Sequence, residues 1–589
     1  MELQGLDWGI VIVYFVATLF IGLWVARKSG SSVAEFFLSG RNMPWWLLGV
    51  SMVATTFSAD TPNLVADIVR TNGVGGNWVW WAFLLTGMLT VFVYAKLWRR
   101  TGILTDLEFY ELRYGGKPAS FLRGFRAIYL GFFFNVMIMA TVCLAAIKIG
   151  NVLLGLDPWE TLIISSVVTV AYTMIGGLKG VLLTDFFQFI LAMGGMIAAA
   201  IFLVNRPEIG GLAALIETPA VRQAMSVFPD WQDPKSWVPI FLIPLAVQWW
   251  SSWYPGAEPG GGGYIAQRML AAKNERHAMG ATLFFNIAHY ALRPWPWIII
   301  ALCSIVIFPT TADIARHFPE VDPSIIKDDM AFPAMLSFLP TGLLGLVVAA
   351  LIAAFMSTIA THLNWGSSYL INDFYARFVD AKASERKLVS LARWSTPVMM
   401  LFAAVIATQL TNALQAFHIL LQIGAGTGLI FILRWFWYRV NAWSEISGMV
   451  ISFIMAVYFE ILYTGELLAH EKLVIGVVIT TVGWVAVTLF TRPESDEVLE
   501  KFYIKVKPYR VGWKGWLARS SPDVQNMETG SGMVYEILSM LLGSLMIYGL
   551  LFGIGYGIYG QMVNMGISLL VAGVCGLGLR WFWGRISFA

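Results

Sequence analysis

The stretch WWSSWYPGAEPGGGGYIAQR, from Trp249 to Arg268, separates two strongly apolar segments of the chain. Its prolines and its four consecutive glycines all disfavour a continuous helix. An unwound backbone is costly in lipid unless it is packed within protein or lines a water-filled cavity. The stretch is therefore either an ordinary loop or a break in a membrane helix beside a binding site.

The composition is that of a membrane protein. Of its 589 residues, 58% are hydrophobic and 13% are charged, and the mean hydropathy is +0.69. Soluble domains carry about 25% charged residues. The cysteines, Cys143, Cys303 and Cys575, all lie in apolar segments, which predicts no disulfide framework. We predict an all-α polytopic protein of a cell membrane, with the bacterial inner membrane as its natural location.

Apolar runs of spanning length divide the chain into about fifteen predicted transmembrane helices. With the N-terminus outside and the C-terminus in the cytoplasm, 30 of the 39 Lys and Arg residues fall in inner segments, as the positive-inside rule requires. The predicted spans are 7–26, 45–70, 78–98, 122–149, 158–176, 181–204, 237–255, 278–308, 340–372, 392–410, 412–433, 444–463, 471–491, 534–556 and 562–583.

A second interruption lies in the stretch SMVATTFSADTPN, Ser51 to Asn63. It opens a run of five spans, and the break at 249–268 falls at the end of the first span of the next five. Since each run holds an odd number of spans, the second run has the inverted orientation. Interrupted helices at matching positions of inverted halves indicate the binding site of a secondary transporter. The alternative is two irregular loops.

These observations predict seven regions along the chain. They are a flanking helix and inner loop (1–44), a first five-helix repeat (45–204), an outer segment (205–236), a second five-helix repeat (237–440), two flanking helices (441–491), a cytoplasmic amphipathic segment (492–533) and two C-terminal helices (534–589).

Four stretches of the chain, which occur in the same order as in the family, resemble the sodium/solute symporter family, whose members include sodium–glucose cotransporters. They are YIAQRMLAAKNERHAMGATLF after the break, GGLKGVLLTDFFQFI at 176–190, FMSTIATHLNWGSSYLINDFY at 355–375 and FWYRVNAWSEISGM at 436–449. The resemblance implies a LeuT-type fold, with two inverted five-helix repeats and flanking helices. It also implies sodium-coupled uptake of a solute, with Na⁺ as the coupling ion.

The resemblance implies a sodium site between the first break and the 340–372 span. Carried over by position, Ser357 and Thr358 give hydroxyl ligands, while Ala54, Phe57 and Ala354 give carbonyl ligands. Sodium prefers such oxygen atoms, as other hard cations do. The alternative is that the two hydroxyls bond back to carbonyls of their own helix.

A second sodium is possible at Asp185, with Thr361 nearby, because some family members bind an additional ion at this position. The alternative is that Asp185 caps the N-terminal turn of its helix.

The solute site is expected between the two breaks. Thr56, Asp60, Thr61 and Asn77 lie at or near positions that contact sugars in relatives, and so do Phe417 and His418. This chain departs from those relatives at Ala257 to Gly263, where they place a Tyr-Trp pair and a Gln.

Three residues around that departure are the remaining solute candidates. Trp253 and Tyr254 are able to supply a stacking face, with an interface belt as the alternative. Glu258 is expected at or beside the solute cavity, with a solvated cytoplasmic loop as the alternative. For His418 the alternative is a hydrogen-bonded packing residue.

Two further polar residues, His289 and Arg293, lie within the 278–308 span. Ionisable groups at that depth are functional hypotheses by default. We expect Arg293 to pair with a carboxylate elsewhere in the bundle, ahead of contacting the solute. GAGTG at 424–428 resembles part of a dinucleotide fingerprint, but its place within a span favours close helix packing.

The sequence thus predicts a sodium symporter for a small polar solute, with a sugar or polyol favoured. An amino acid, amino sugar or other charged metabolite is the alternative, because Asp60 and Glu258 are able to meet an ammonium group. A solute sensor is disfavoured because such sensors carry a fused signalling domain, while this sequence ends at WFWGRISFA directly after a span. An enzyme is not expected. The expected partners are the solute, sodium ions and the lipid bilayer, and no nucleic acid.

Overall fold

The computed structural model describes residues 3–29, 32–254, 257–410, 412–527, 533–586 and 588. In these ranges the regular secondary structure is helical, and the extended pairing is limited to two isolated bridges, one of which pairs Ser252 with Ala425. Pro255 and Gly256, in the middle of the second break, lie outside the described residues, as does the predicted junction at residue 411.

Eighteen helices carry the architecture, with short helical turns in the connections left unnumbered. They are α1 Gly5–Ser29, α2 Trp45–Phe57, α3 Asp60–Asn72, α4 Val74–Thr101, α5 Gly116–Leu154, α6 Pro158–Val204, α7 234–251, α8 Gly263–Ala271, α9 Glu275–Ile307, α10 Leu343–Val379, α11 Glu385–Ala407, α12 Ala413–Gly424, α13 Gly428–Leu433, α14 Ala442–Leu462, α15 Ala469–Phe490, α16 Asp496–Val506, α17 Val534–Ile558 and α18 Met562–Trp583.

Each of the fifteen predicted spans corresponds to helical structure. In the described part of the chain, eleven helices are long and apolar enough to cross a membrane. One of the eleven, α6, covers two predicted spans. The other three predicted spans correspond to α2 with α3, to α7, and to α12 with α13, none of which is a single long regular helix. The all-α polytopic prediction is therefore confirmed.

The two predicted spans within α6 meet at Gly177. This residue has φ 55° and ψ −161°, a conformation that glycine adopts without strain. A Cβ atom at Gly177 would lie 2.8 Å from the Phe36 carbonyl oxygen. The glycine therefore permits both the bend and the close approach of the segment that follows α1.

The first break is short. Helix α2 ends at Phe57 and α3 begins at Asp60, and between them Ser58 has φ 39° and ψ 153°. Helix α2 packs against α6, α10 and the first turns of α9, so its end is enclosed by protein.

The second break begins earlier than the proline- and glycine-rich run at 255–263. Helix α7 has two wide π-type turns, 238–242 and 244–248, and each contains a proline that lacks the amide hydrogen of a regular turn. The helix ends at Ser251, α8 begins at Gly263, and the described residues between them, 252–254 and 257–262, are non-helical. The break therefore includes Trp253 and Tyr254.

Helices α17 and α18 pack against each other, and α17 also contacts α4 and α9. Lys96 of α4 donates to Glu536 of α17 at 2.7 Å, and both side chains are buried. Helix α16 is amphipathic, as predicted for the 492–533 segment. Its apolar face is buried, with Phe502 stacked on Trp513 at 5.8 Å between ring centres.

Candidate functional site

The first break exposes carbonyl groups where the sodium site was predicted. The last-turn carbonyls of α2, from Ala54 to Phe57, lack the amide donors that a continued helix would supply. The Thr358 hydroxyl of α10 donates to the Thr55 carbonyl at 2.6 Å and contacts the Ala354 carbonyl at 3.2 Å. This hydroxyl therefore joins the two helices, in addition to bonding within its own helix.

The other predicted hydroxyl ligand is oriented by an acid. Ser357 donates to Oδ1 of Asp185 at 2.6 Å, and both side chains are fully buried. Because the hydroxyl hydrogen points to the carboxylate, the oxygen lone pairs remain available to a cation. The carbonyls and hydroxyls at this position fit a small hard cation.

Asp185 does not act as a helix cap. Its second oxygen, Oδ2, accepts a hydrogen bond from the Ser51 hydroxyl of α2 at 2.5 Å. Both carboxylate oxygens thus bond to side chains on neighbouring helices rather than to first-turn amides. Thr361, the other residue predicted near a second ion, lies 2.9 Å from the Thr55 hydroxyl.

Thr56, His289 and Arg293 form a chain of polar contacts beside the first break. The Thr56 hydroxyl lies 2.9 Å from Nδ1 of His289, and Nε2 of His289 lies 3.1 Å from the Arg293 guanidinium. Arg293 also donates to the Thr56 carbonyl and lies 5.1 Å from the Trp297 ring centre. Arg293 therefore holds the start of the unwound segment.

Asp60 is near enough to Arg293 for an electrostatic interaction, but among the described residues the two form no salt bridge, so the expected pairing stays a prediction. Oδ1 of Asp60 is buried with no hydrogen-bond partner among the described residues. Thr61 donates to the Thr56 carbonyl at 3.3 Å. Asp60 thus retains an oxygen that is able to accept a further hydrogen bond.

Asn77 does not contact Thr56, His289 or Arg293 through a described hydrogen bond; it binds Trp80, whose ring packs against His289. Its amide donates to the Val74 carbonyl at 2.9 Å, and its Oδ1 accepts from the Trp80 indole at 2.8 Å. The Trp80 ring lies 5.8 Å from the His289 ring. Asn77 is fully buried and both its polar atoms are engaged, so it positions Trp80.

The predicted aromatic candidates are enclosed rather than placed in an interface belt. Tyr254 stacks on Phe83 at 6.0 Å and contacts Phe417 edge-on at 5.0 Å. Trp253 packs against Phe134 at 4.9 Å and is 7% exposed. The belt alternative is wrong for Trp253, which packs within the protein.

Glu258 is buried, with 3% of its surface exposed, so the solvated-loop alternative is wrong. A Cβ atom at Gly263 would lie 2.8 Å from the Glu258 carboxylate, which places the acid at the start of α8. Glu258 lines a cavity of about 10 Å³, room for about one water molecule, between α4, the second break and α9. Its polar lining consists of Thr86, Thr90, Glu258, Thr282 and Asn286.

The backbone of the second break is held by the GAGTG segment, as the packing prediction expects. The Trp253 amide donates to the Gly424 carbonyl at 3.1 Å. A Cβ atom at Gly424 would lie 2.1 Å from the Trp253 carbonyl oxygen, and one at Gly428 would lie 2.6 Å from that of Trp250. These glycines permit two irregular backbones to touch.

A cavity of about 1400 Å³ opens at the end of the bundle that carries residues 220–248. His418 is exposed on its wall, beside Arg70, Gln422 and Lys472. The hydrogen-bonded packing alternative for His418 is therefore wrong. Its neighbour Phe417 points inward to Tyr254 and is 4% exposed, so the two candidates face different surroundings.

The opposite end of the bundle is tied together by ion pairs. Arg123 bonds to Asp373 and to Glu111, each at 2.8 Å, and Arg377 bonds to Glu111 at 3.0 Å. These pairs join the segment after α4 to the end of α10. A second cavity, of about 830 Å³, lies at this end and is lined by Glu111 and Arg377. The larger cavity thus opens at one end of the bundle, and ion pairs cross the other.

Asp106 and Arg268 belong to the site but were not predicted there. Asp106 accepts from the Gly263 amide at 2.9 Å and from the Tyr369 hydroxyl, and it fixes the start of α8. Burial raises the pKa of Asp106, against the opposing effect of these two hydrogen bonds. No local pattern marks this loop residue. Arg268 belongs to the QR pair of the family-like stretch YIAQRMLAAK. A charged residue in that stretch, directly after the break, could have been listed as a site candidate from the sequence.

The interrupted helices and their buried polar groups define a membrane transporter with a LeuT-type fold. The sodium:solute symporter family model matches residues 36–452. The chain belongs to this family and is a multi-pass, sodium-coupled solute symporter. The family and the relatives described next are transporters, which makes an enzyme unexpected.

The chain is similar to curated transporters along most of its length. A sodium/glucose cotransporter of Vibrio parahaemolyticus is 25% identical, over 78% of this chain and 86% of that protein. The sodium/glucose cotransporter 1 of Oryctolagus cuniculus is 26% identical, over 90% and 84%. The sodium/myo-inositol cotransporter 2 of Oryctolagus cuniculus is 25% identical, over 90% and 81%.

A solved structure supports the fold. The substrate-bound, outward-open state of a Na⁺-coupled sialic acid symporter superposes with a TM-score of 0.65 at 22% identity. The match covers 83% of this chain and 99% of the other.

Proposed function

We propose that this protein imports a sugar or polyol together with sodium. The observation that carries the proposal is the convergence of hydroxyl, amide and carboxylate groups beside Glu258 between the two repeats, around a cavity of about 10 Å³ that must widen to admit a solute. Oδ1 of Asn286 in this cavity has no hydrogen-bond partner among the described residues. A hydroxyl-rich solute satisfies such groups, since buried polar atoms require partners. The names of the curated relatives support the same class of solute.

In this proposal, sodium binds between the two repeats, 45–204 and 237–440. Its ligands are the carbonyls of Ala54, Phe57 and Ala354 and the hydroxyls of Ser357 and Thr358. Ion binding would favour one packing of α2 against α10, because it adds attraction between them.

The solute is proposed to bind between the breaks. Glu258 and Asp60 accept hydrogen bonds from its hydroxyls, and Tyr254 and Trp253 form an apolar wall. Thr56, Thr61 and Asn77 hold the first break and Trp80 in position. Phe417 supports Tyr254 from α12, while His418 contacts a solute only on its way through the large cavity.

We further propose that the large cavity faces outside and the ion-paired end faces the cytoplasm. The Lys and Arg bias supports this orientation, with the N-terminus outside and the C-terminus inside a bacterial inner membrane. The larger open cavity and the ion pairs across the opposite end then support an outward-facing state.

An amino sugar or another cationic solute is a second candidate. The buried Oδ1 of Asp60, which lacks a partner among the described residues, favours it. An ammonium group at this position would compete with Arg293 for the carboxylate.

A thermal-stability screen tests both proposals, because bound ligand stabilises a protein by mass action. Purified protein is heated with sugars, polyols, amino sugars, amino acids or carboxylates, in sodium and in potassium. We expect a sugar or polyol to raise the melting temperature in sodium and less in potassium. Stabilisation by amino sugars alone would favour the second candidate. Stabilisation only by amino acids or carboxylates would contradict both.

A further inference from the structure

A fully buried cluster of charged and hydroxyl side chains adjoins the proposed sodium site. Ser51 comes from α2, Asp185 from α6, Arg268 from α8, and Ser357 and Thr361 from α10. All five side chains are completely inaccessible to solvent. The cluster therefore connects four helices, including one half of each interrupted helix.

The guanidinium of Arg268 occupies the middle of this cluster. It donates to the Thr361 hydroxyl at 2.7 Å and contacts the Ser51 hydroxyl at 3.2 and 3.3 Å. It also donates to the Gln267 amide oxygen at 2.8 Å. Ser51 in turn donates to Asp185, so one hydroxyl separates the two opposite charges.

The charges in this cluster are already balanced. A buried carboxylate needs a compensating charge, and Arg268 supplies one positive charge that interacts with Asp185. A sodium ion bound to Asp185 and Thr361 would need an oxygen that already accepts from the guanidinium. It would also place a second cation close to Arg268, where repulsion is strong because the surroundings are poorly polarisable.

Building on the proposed sodium coupling, we propose that Arg268 is a built-in cation that takes the place of a second sodium. The protein then binds one sodium ion. Asp185 is a positioning residue, which turns the Ser357 hydroxyl so that its lone pairs face the single ion. This assignment differs from the second-ion role that the family resemblance suggests for Asp185 and Thr361.

The location of Arg268 has a mechanical consequence. It stands on α8, the inner half of the second interrupted helix, while its partners stand on α2 and α10. The guanidinium therefore links the proposed ion site to α8. The first residue of this helix, Gly263, lies beside Glu258 and donates its amide hydrogen to Asp106. A tethered cation keeps this link in every ion-bound state.

Binding of radiolabelled sodium to the purified protein, without solute, tests the proposal. We expect saturation at one sodium per folded chain, with folded protein counted after size-exclusion chromatography. Asp185→Asn should still saturate at one sodium, with a dissociation constant raised about 10–100-fold, as for other residues that orient a metal ligand. Saturation of the unmodified protein at two ions, falling to one in Asp185→Asn, would overturn the proposal.

Variants of Arg268 test its role directly. Arg268→Lys keeps the charge and should bind one sodium. Arg268→Gln leaves Asp185 uncompensated and should bind two; a value of one would overturn the assignment of Arg268. If Arg268→Gln does not fold, the unmodified protein and Asp185→Asn still decide the number of ions. An unmodified protein that binds no sodium would contradict the sodium coupling itself, which is a separate failure.

Discussion

The two interrupted helices lie at matching places in the chain but differ in construction. The first breaks for only two residues, Ser58 and Ala59, and uses no glycine. The second is non-helical at its described residues, 252–254 and 257–262, and needs positive φ angles at Gly260 and Gly261, 76° and 77°.

This difference in length suits two ligands of different size. A short break frees a few carbonyls around a point, which suits an ion. A long break brings more unwound backbone against side chains of α4 and α9, which suits an organic solute once the cavity there widens. If so, substitutions at the first break should change sodium binding, and those at the second should change solute binding.

The largest expected effect is at the first break. Thr358→Ala removes a hydroxyl ligand and should raise the sodium concentration for half-maximal uptake by about 5–150-fold, with solute affinity at saturating sodium little changed. Ser357→Ala should behave alike. Uptake into proteoliposomes is measured against sodium, with the exposed Thr464→Ala as control. Unchanged sodium dependence in both variants would remove these hydroxyls from the site.

At the second break, Glu258→Gln should weaken solute binding about tenfold, because a charge-assisted hydrogen bond is lost. Sodium binding should persist. Solute affinity is measured by thermal shift, using the solute that the screen identifies. Glu320→Gln, at an exposed position, is the matched control. Equal affinity in Glu258→Gln and the unmodified protein would place the solute elsewhere.

The packing that holds the second break can be tested through stability. Gly424→Ala places a methyl group 2.1 Å from the Trp253 carbonyl oxygen and should cost about 1–3 kcal/mol of stability, the range for overpacking, because the backbone must shift. Gly566→Ala adds a methyl group where no atom lies within 4 Å and serves as the control. The melting temperatures of the two variants are compared. Equal melting temperatures would mean that the backbone contact between α12 and the second break is not closely packed.

The smallest effect is expected at His418, which lies on the wall of the large cavity. His418→Ala should change solute affinity by about twofold at most, as exposed substitutions do. A much larger loss would extend the solute site from the second break into the cavity and would weaken the contrast between the two breaks.

The sequence alone determined the membrane class, the helices and the positions of both interruptions. The length of an apolar segment and its glycine or proline content determine local structure. They can therefore be interpreted without knowledge of the tertiary contacts. The four family-like stretches added the fold and the sodium coupling. The same local logic explains why GAGTG was correctly interpreted as a packing segment.

Only the tertiary structure decided which side chains meet. It placed Asp185 between Ser51 and Ser357 on other helices, instead of at its own helix end. It also turned Phe417 inward and His418 outward, buried Glu258, and brought Asp106 to the start of α8. These contacts join residues that are distant in the chain, and the charge of Asp185 interacts with that of Arg268. No local pattern encodes such pairings, because burial and electrostatic compensation arise only when the helices pack.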